Sequence, residues 1–226
     1  MKCIAVMPAY HEATRIQEAI ASVQPHVDAV LVVDDGSLDA TADRARAAGA
    51  IVVRHAVNRG QGAALKTGTE GALRLGADII LHVDADGQHS GDDIPALIDL
   101  IRRGVADVVL GSRFMGIDAE GMPTTRRALM YAIRTFNVFV LGVSGRLTDP
   151  QSGMRAIHKD AVSTLSFTQD GMAHASEILR LLTRSSLRWE EVPIHVRYTR
   201  DTLQKGNKTS DAFRIVWKLF LGAFQR

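Results

Sequence analysis

Five short apolar segments, 3–7, 29–33, 51–54, 78–83 and 107–110, alternate with four stretches whose apolar residues fall at helical spacing, 14–23, 40–48, 63–75 and 94–103. This alternation leaves few folds open. Strands rich in Val and Ile with no polar face must be covered on both sides. A helix between successive strands carries the chain back to the same end, so the strands run parallel. The pattern predicts an α/β fold, a Rossmann-like, mostly parallel sheet flanked by helices, with Pro95 placed in the first turn of the fourth helix. Beyond residue 110 the alternation loosens into a helix-like stretch 121–143, a Gly-containing turn into a strand over 149–158, a helix 172–183, a strand 191–198 carrying Pro193, and a helix 210–224. No Pro/Gly/Ser linker divides the halves, so residues 1–226 are expected to form a single compact domain with two functional parts, 1–110 and 111–226.

Composition closes off several functions. A net charge of +2 gives no electrostatic reason to bind nucleic acid. A single cysteine, Cys3, rules out an intramolecular disulfide and fits a reducing, cytoplasmic compartment. The start, MKCIAVMPAY, has no signal-peptide pattern. No apolar run approaches the roughly 20 residues of a spanning helix: 128–143 is broken by Arg134 and Asn137, and 215–224 by Lys218, so both read as amphipathic.

Open parallel sheets bind ligands outside the carboxyl ends of their strands. Polar clusters fall there after the first strand (Pro8, Ala9, Tyr10, His11, Glu12), the second (Asp34, Asp35, Gly36, Ser37) and the fourth (Asp84, Ala85, Asp86). Three strand ends are therefore expected to rim one site. Asp84, Asp86 and Gln88 stand at spacing two, which on an extended chain points their oxygens the same way. Carboxylate pairs of this kind suit Mg2+ or Mn2+, with positions left for phosphate oxygens; a plain Asp-Gly turn ending the strand is the competing reading. Asp34 and Asp35 are more acid than a helix cap needs, and a strand-end carboxylate suits a nucleobase or ribose.

Other candidates carry similar ambiguity. The run 58–62, NRGQG, reads as a glycine-permitted anion site at a helix N-terminus or as a simple turn. Arg113 follows the fifth strand and suits phosphate. Arg126 and Arg127 are either a solvated face or, at Arg127, a phosphate contact. Glu177 is favoured in a first helical turn whatever its function. Arg197, Arg200, Lys205 and Lys208 form a basic run of the kind that closes over a diphosphate. His82, His89 and His158 lack metal-ligand spacing and read as structural. With no nucleophile triad and no Walker lysine, the chemistry implied is metal-assisted, on a phosphorylated donor.

At this point the motifs, taken in order, resemble a known family. MPAYHE (7–12), VVDDGSLDAT (32–41), NRGQGAALKTG (58–68), VDADGQH (83–89), GSRF (111–114), TDPQSGMRAI (148–157), HASEIL (174–179) and VPIHVRYT (192–199) resemble the family 2 glycosyltransferases of GT-A fold, in their dolichol-phosphate mannosyltransferase-like branch. The resemblance implies a nucleotide-sugar-binding half, 1–110, and an acceptor half, 111–226, ending in an amphipathic helix. It implies inverting transfer from a GDP-mannose-like or UDP-sugar donor to a polyprenyl phosphate. Pro8, Tyr10, Glu12, Val33 and Asp35 would hold the nucleoside. Asp84, Asp86 and Gln88 would bind the metal, with Ala85 and these residues against the diphosphate. Asp86 and Arg113 would serve the reacting phosphates, and Arg127, Arg200 and Lys205 the phosphates around them. His11 stands where many relatives carry Asn. The C-terminal loop is closer to the Y-T-x-x-T-x-x-K-G form than to the R-x-x-G-x-S-K form of the dolichol enzymes.

Two enzyme alternatives compete. A sugar or glycolipid hydroxyl acceptor would need a base, for which Glu177 is the first candidate. A sugar nucleotidyltransferase would want G-x-G-T-R after the first strand, where this chain has MPAYHE. A non-catalytic nucleotide-binding module is disfavoured by the intact Asp84, Asp86 and Gln88. Phe213, Val216, Trp217, Phe220 and Phe224, flanked by Arg214 and Lys218, fit a helix lying on the cytoplasmic face of a membrane or a contact between copies of the chain.

Overall fold

A computed structural model describes residues 1–116, 122, 124–140 and 142–197; the side chain of Arg126 is outside that description. The chain runs β1 (Cys3–Ala9), α1 (Ile16–Val23), β2 (Ala29–Asp34), α2 (Thr41–Ala47), β3 (Ile51–Arg54), α3 (Gln61–Arg74), β4 (Ile79–His82), α4 (Ile94–Arg102), β5 (Val108–Ser112), α5 (Thr124–Phe139), β6 (Arg155–His158), α6 (His174–Arg184) and β7 (Trp189–Pro193). The strands form one seven-stranded sheet in the order β3-β2-β1-β4-β6-β5-β7. β1 pairs in parallel with β2 and β4, β2 with β3, and β5 with β7. Only β6 is reversed, lying antiparallel between β4 and β5. That reversal leaves β4 and β5 pointing the same way, so the carboxyl ends of β1, β2, β4 and β5 share one edge.

The expected mostly parallel α/β sheet is observed, and the burial of β1 explains why its sequence has no polar face. Cys3, Ala5 and Met7 belong to a core with Ile16 and Ile20 of α1 and Leu97 and Ile98 of α4. Ile4 and Val6, pointing the other way, meet Leu65 and Ala72 of α3 and Ile178 of α6. In α1 the buried residues are Ile16, Ala19, Ile20 and Val23, one stripe of a helix. α6 closes the second face, Leu179 and Leu182 lying in a cluster with Val108 and Leu110 of β5 and Ile157 of β6.

Most boundaries move by one to a few residues, and three of the shifts bear on the site. β4 stops at His82, short of the expected end at residue 83, although the Val83 N–H still donates to the Val6 carbonyl of β1. α5 ends at Phe139, not 143; Gly142 at φ 67 takes the left-handed backbone that ends helices. β7 begins at Trp189, two residues early, since its register is set by β5, with Val108 against Trp189 and Ser112 against Pro193. Pro193 sits at the strand's last position, where its missing N–H costs least. The expected loop residues Arg200 and Lys205 and the helix 210–224 lie outside the described residues. Among the described residues no helix is long and apolar enough to cross a membrane.

Candidate active site

The shared edge gathers the strand-end residues singled out above. Pro8 pairs with Val33, and Ala9 with Asp34, at the ends of β1 and β2. The chain then turns through His11, whose φ of 55 is tolerated better by His, Asn and Asp than by most side chains. Its backbone N–H donates to Ser37 Oγ, and Glu12 N–H to Thr41 Oγ1, so the two strand ends hold each other. The Tyr10 ring stands against that of His11, centroids 4.2 Å apart, and is 45% exposed at the rim.

Asp35 is buried and has three partners. Its carboxylate accepts from the N–H groups of Arg59 (2.9 Å) and Gly60 (2.7 Å), and lies 2.7 Å from His55 Nδ1, whose Nε2 reaches Thr67 Oγ1. The 58–62 segment is thus held on Asp35. Two amides of that segment are thus turned inward to Asp35, and just beyond it the Ala63 N–H goes to the Asp170 carbonyl. Its glycines serve packing. Gly60 has φ 102, and a Cβ there or at Gly62 would run into the carbonyl oxygens of Asp170 or Gln169.

Asp84 and Asp86 lie past the end of β4 in a turn, not on an extended strand, so it is the turn that brings them together. Asp86 Oδ1 accepts the Gln88 N–H at 3.0 Å and Gly87 takes φ 71. The Asp-Gly turn is therefore present, and the acids occupy it. Asp84 Oδ1 accepts from Gln61 Nε2 at 2.9 Å, its Oδ2 lies 3.5 Å from His89 Nε2, and a Cβ on Gly153 would overlap the carboxylate. Burial pushes its carboxyl up, but the hydrogen bond and charge of His89, with Arg155 and His174, outweigh this and hold it below the ordinary value. Asp86 goes the other way: burial and the Asp84 charge raise it. Asp86 is thus the member of the pair short of positive charge. Among the described residues no group of three or more His, Cys, Asp or Glu is arranged to hold a metal alone. Two carboxylates and a turn suit a hard cation whose remaining ligands come from a phosphorylated substrate and water, so the donor set fits Mg2+ or Mn2+.

Arg113 follows β5 on the same edge. Nε and Nη2 of its guanidinium meet Asp149 at 2.6 and 2.7 Å, both side chains being buried. The 148–149 turn is in turn held by Glu191 of β7, which accepts from Thr148 N, Thr148 Oγ1 and Asp149 N. Arg127 is exposed on α5. Glu177, in the first turn of α6, accepts from Thr168 N, Thr168 Oγ1 and Gln169 N at 2.9–3.0 Å. The chain after β7 runs beside the acids: His89 bridges Val196, and Arg197 N donates to the Gln88 carbonyl.

Four residues beside these were not picked out individually: Gln61, Gly153, Asp149 and Arg155. All lie within the quoted motifs NRGQGAALKTG and TDPQSGMRAI, and that was the available signal. His89, read as structural, belongs beside Asp84. Arg155 is buried under the site, with Nη2 on the Ser152 carbonyl and Nε without a hydrogen-bond partner among the described residues. Burial lowers its pKa to about 10, against the pull of Asp84 and Asp149, so it stays charged at neutral pH.

Arg155 also acts on the histidine beneath. Burial, then the Arg155 charge, lower His174 to about 4, while the Gly171 carbonyl, Asp84 and Glu177 oppose this. The unfolded imidazole titrates near 6.5, so between that pH and about 4 the unfolded chain binds a proton that the folded one refuses. Stability is expected to fall on acidification across this window, by about 3 kcal/mol from His174. Urea unfolding at pH 7 and pH 4.5, with His174→Gln expected to flatten the difference, checks it.

Comparison with known proteins agrees with this geometry. The family described as glycosyl transferase family 2 matches residues 4–165. A UDP-N-acetylglucosamine–dolichyl-phosphate N-acetylglucosaminyltransferase of Methanococcus voltae is 32% identical over 237 residues, 96% of this chain and 94% of that one. An undecaprenyl-phosphate mannosyltransferase of Micrococcus luteus is 30% identical over 206 residues, 86% of this chain and 83% of that one. Among solved structures, glucosyl-3-phosphoglycerate synthase of Mycobacterium tuberculosis in complex with Mn2+, UDP and glucosyl-3-phosphoglycerate has the same fold, with a TM-score of 0.72 at 21% identity over 98% of this chain and 78% of that one. The chain belongs to glycosyl transferase family 2.

Proposed function

We infer that this glycosyltransferase moves a sugar from a nucleoside diphosphate sugar, GDP-mannose-like or a UDP-sugar, to a polyprenyl phosphate, with Mg2+ or Mn2+. The observation that carries the donor half is the half-buried pair Asp84 and Asp86, in which the charge of Asp84 helps push Asp86 up, on the edge that also holds the buried Asp35 and Arg113. The acceptor half is supported by the names of the relatives above. It is also supported by α5, which carries exposed Arg127, Tyr131 and Phe139 and is followed by exposed Val140. An apolar face with a cation at its start suits a lipid phosphate.

Pro8, Tyr10, Glu12, Val33 and Asp35 line the nucleoside end, and Asp84, Ala85, Asp86 and Gln88 the diphosphate end. Bound there, the metal would neutralise charge growing on the leaving diphosphate. Arg113 adds a fixed positive group on that side. An acceptor phosphate oxygen attacks the anomeric carbon as the bond to the diphosphate breaks, giving inversion and a free nucleoside diphosphate. The acceptor is already an anion, so no residue need remove a proton. The Arg197 N–H donates to the Gln88 carbonyl, and Arg200 and Lys205, further along the chain, are proposed as the cations of a loop that closes over the diphosphate. A hydroxyl acceptor is less well served, because Glu177 already accepts three hydrogen bonds. The reaction is assigned to the cytoplasmic face of a membrane.

Calorimetric titration with GDP and with UDP, each with Mn2+ and then EDTA, tests the donor half. One nucleotide is expected to bind tightly and to be lost with EDTA; no metal-dependent binding of either overturns the reading. Transfer of radiolabelled sugar to a short polyprenyl phosphate, with a neutral polyprenol as control, tests the acceptor.

A further inference from the structure

The segment that docks on the glycines of α3 comes from the other half of the chain. Residues 168–171 precede α6, and their contacts with α3 are specific. The Ala63 N–H donates to the Asp170 carbonyl, and Lys66 Nζ reaches the Thr168 carbonyl (3.2 Å) and Asp170 Oδ1 (2.6 Å). The places of Gly60 and Gly62 are filled by the Gln169 and Asp170 carbonyls. The strap is fastened at its other end by Glu177, whose two oxygens take the Thr168 and Gln169 N–H groups and the Thr168 hydroxyl. Gln61, the first residue of α3, lies between the two docked glycines and donates to Asp84.

We propose that Glu177 is a positioning residue: it latches the 168–171 strap onto the first turn of α3 and so holds Gln61 against the carboxylate of Asp84. The physical reason is directional. Gln61 can orient Asp84 only while the first turn of α3 is fixed, and that turn has few internal bonds of its own. The strap supplies an acceptor for the Ala63 amide, and the charged Glu177 supplies the strong hydrogen bonds that keep the strap in place. Glu177 therefore reaches the donor carboxylates through the backbone, across a large separation in sequence. The role rests on the assignment of Asp84 to the donor site, but the latch itself does not.

Two measurements separate the two. Amide exchange followed by NMR on the ligand-free protein reads the latch alone. Glu177→Gln is expected to speed exchange at Thr168, Gln169 and Ala63 by about tenfold, with amides in β1 unchanged. Unchanged exchange at Ala63 overturns the latch, whatever the protein binds. The second measurement is nucleotide binding, with the pH profile of kcat beside it. Glu177→Gln and Gln61→Leu are both expected to weaken binding of the Mn2+ complex of GDP or UDP, whichever the wild type takes, by about fivefold or more. Gln61→Lys, which keeps a donor at that reach, should recover most of it. The pH profile of kcat in Glu177→Gln should keep its shape. A collapse of kcat with loss of the acidic limb and unaltered nucleotide binding would instead make Glu177 a base and overturn the proposal. Faster exchange at Ala63 in Glu177→Gln, with a wild type that binds neither nucleotide, would leave the latch standing and sink the donor assignment.

Discussion

Replacing Asp86 by Asn is expected to cut sugar transfer by about a thousandfold while leaving the folded protein as stable as before, or more so. The two halves of this expectation come from one arrangement. Asp86 is pushed toward its neutral form by burial and by Asp84 beside it, so its charge at pH 7 costs folding free energy. The sign is fixed: a carboxyl raised in the folded state binds its proton more readily there than when unfolded, so ionising it as pH rises destabilises the fold. Asn removes that cost together with the ligand. Asp84→Asn should differ. Its carboxyl is held below the ordinary value, its charge stabilises the fold above the unfolded pKa, and its oxygens meet Gln61 and His89. It should lose activity and stability together. Thermal unfolding of both variants beside a transfer assay decides the matter. Equal loss of stability in both would mean that the pair is not electrostatically unequal.

The alternation of strands and helices was enough to read most of the fold, because covering both faces of a parallel sheet imposes a periodicity on every segment. It placed β1, β2 and β4, and therefore Pro8, Asp35 and Asp84, on one edge. The order of the later strands was less legible. β6 is four residues long, and its place between β4 and β5 comes from pairing with both, which no local pattern records. β7 began early for the same reason, its register being dictated by β5.

The site divides in the same way. Asp84, Asp86 and Asp35 stand at strand ends and announce themselves by acidity after an apolar run. Gln61 and Asp149 act on them or on Arg113 across long separations, through contacts that only the fold creates. The glycines at 60 and 62 fitted either room for an anion or a plain turn into a helix. They are room for a neighbouring carbonyl, a distinction that depends on which backbone arrives there. Glu177 shows the limit most plainly: an acid in a first helical turn fits a dipole partner, a base and a latch equally well until its three donors are identified.

Asp149→Ala is expected to destabilise the protein by about 3–5 kcal/mol, the largest effect on stability among these substitutions. The guanidinium of Arg113 is buried, and Nε and Nη2 both meet this carboxylate, which also accepts the Arg113 and Gln151 backbone N–H groups. Removing the acid leaves a buried cation facing lost partners, whereas the intact pair is worth much less than this cost, because both charges had to leave water to form it. The double variant Arg113→Leu with Asp149→Leu should therefore recover most of the stability in urea unfolding, yet transfer no sugar. Such an outcome would assign the pair its purpose. An apolar pair could hold β5 to the 148–149 turn equally well; only the ion pair can do so while fixing the direction of a guanidinium at the edge where Asp84 and Asp86 lie. A cost below about 1 kcal/mol for Asp149→Ala would mean that Arg113 is held by other contacts, and that its orientation owes little to Asp149.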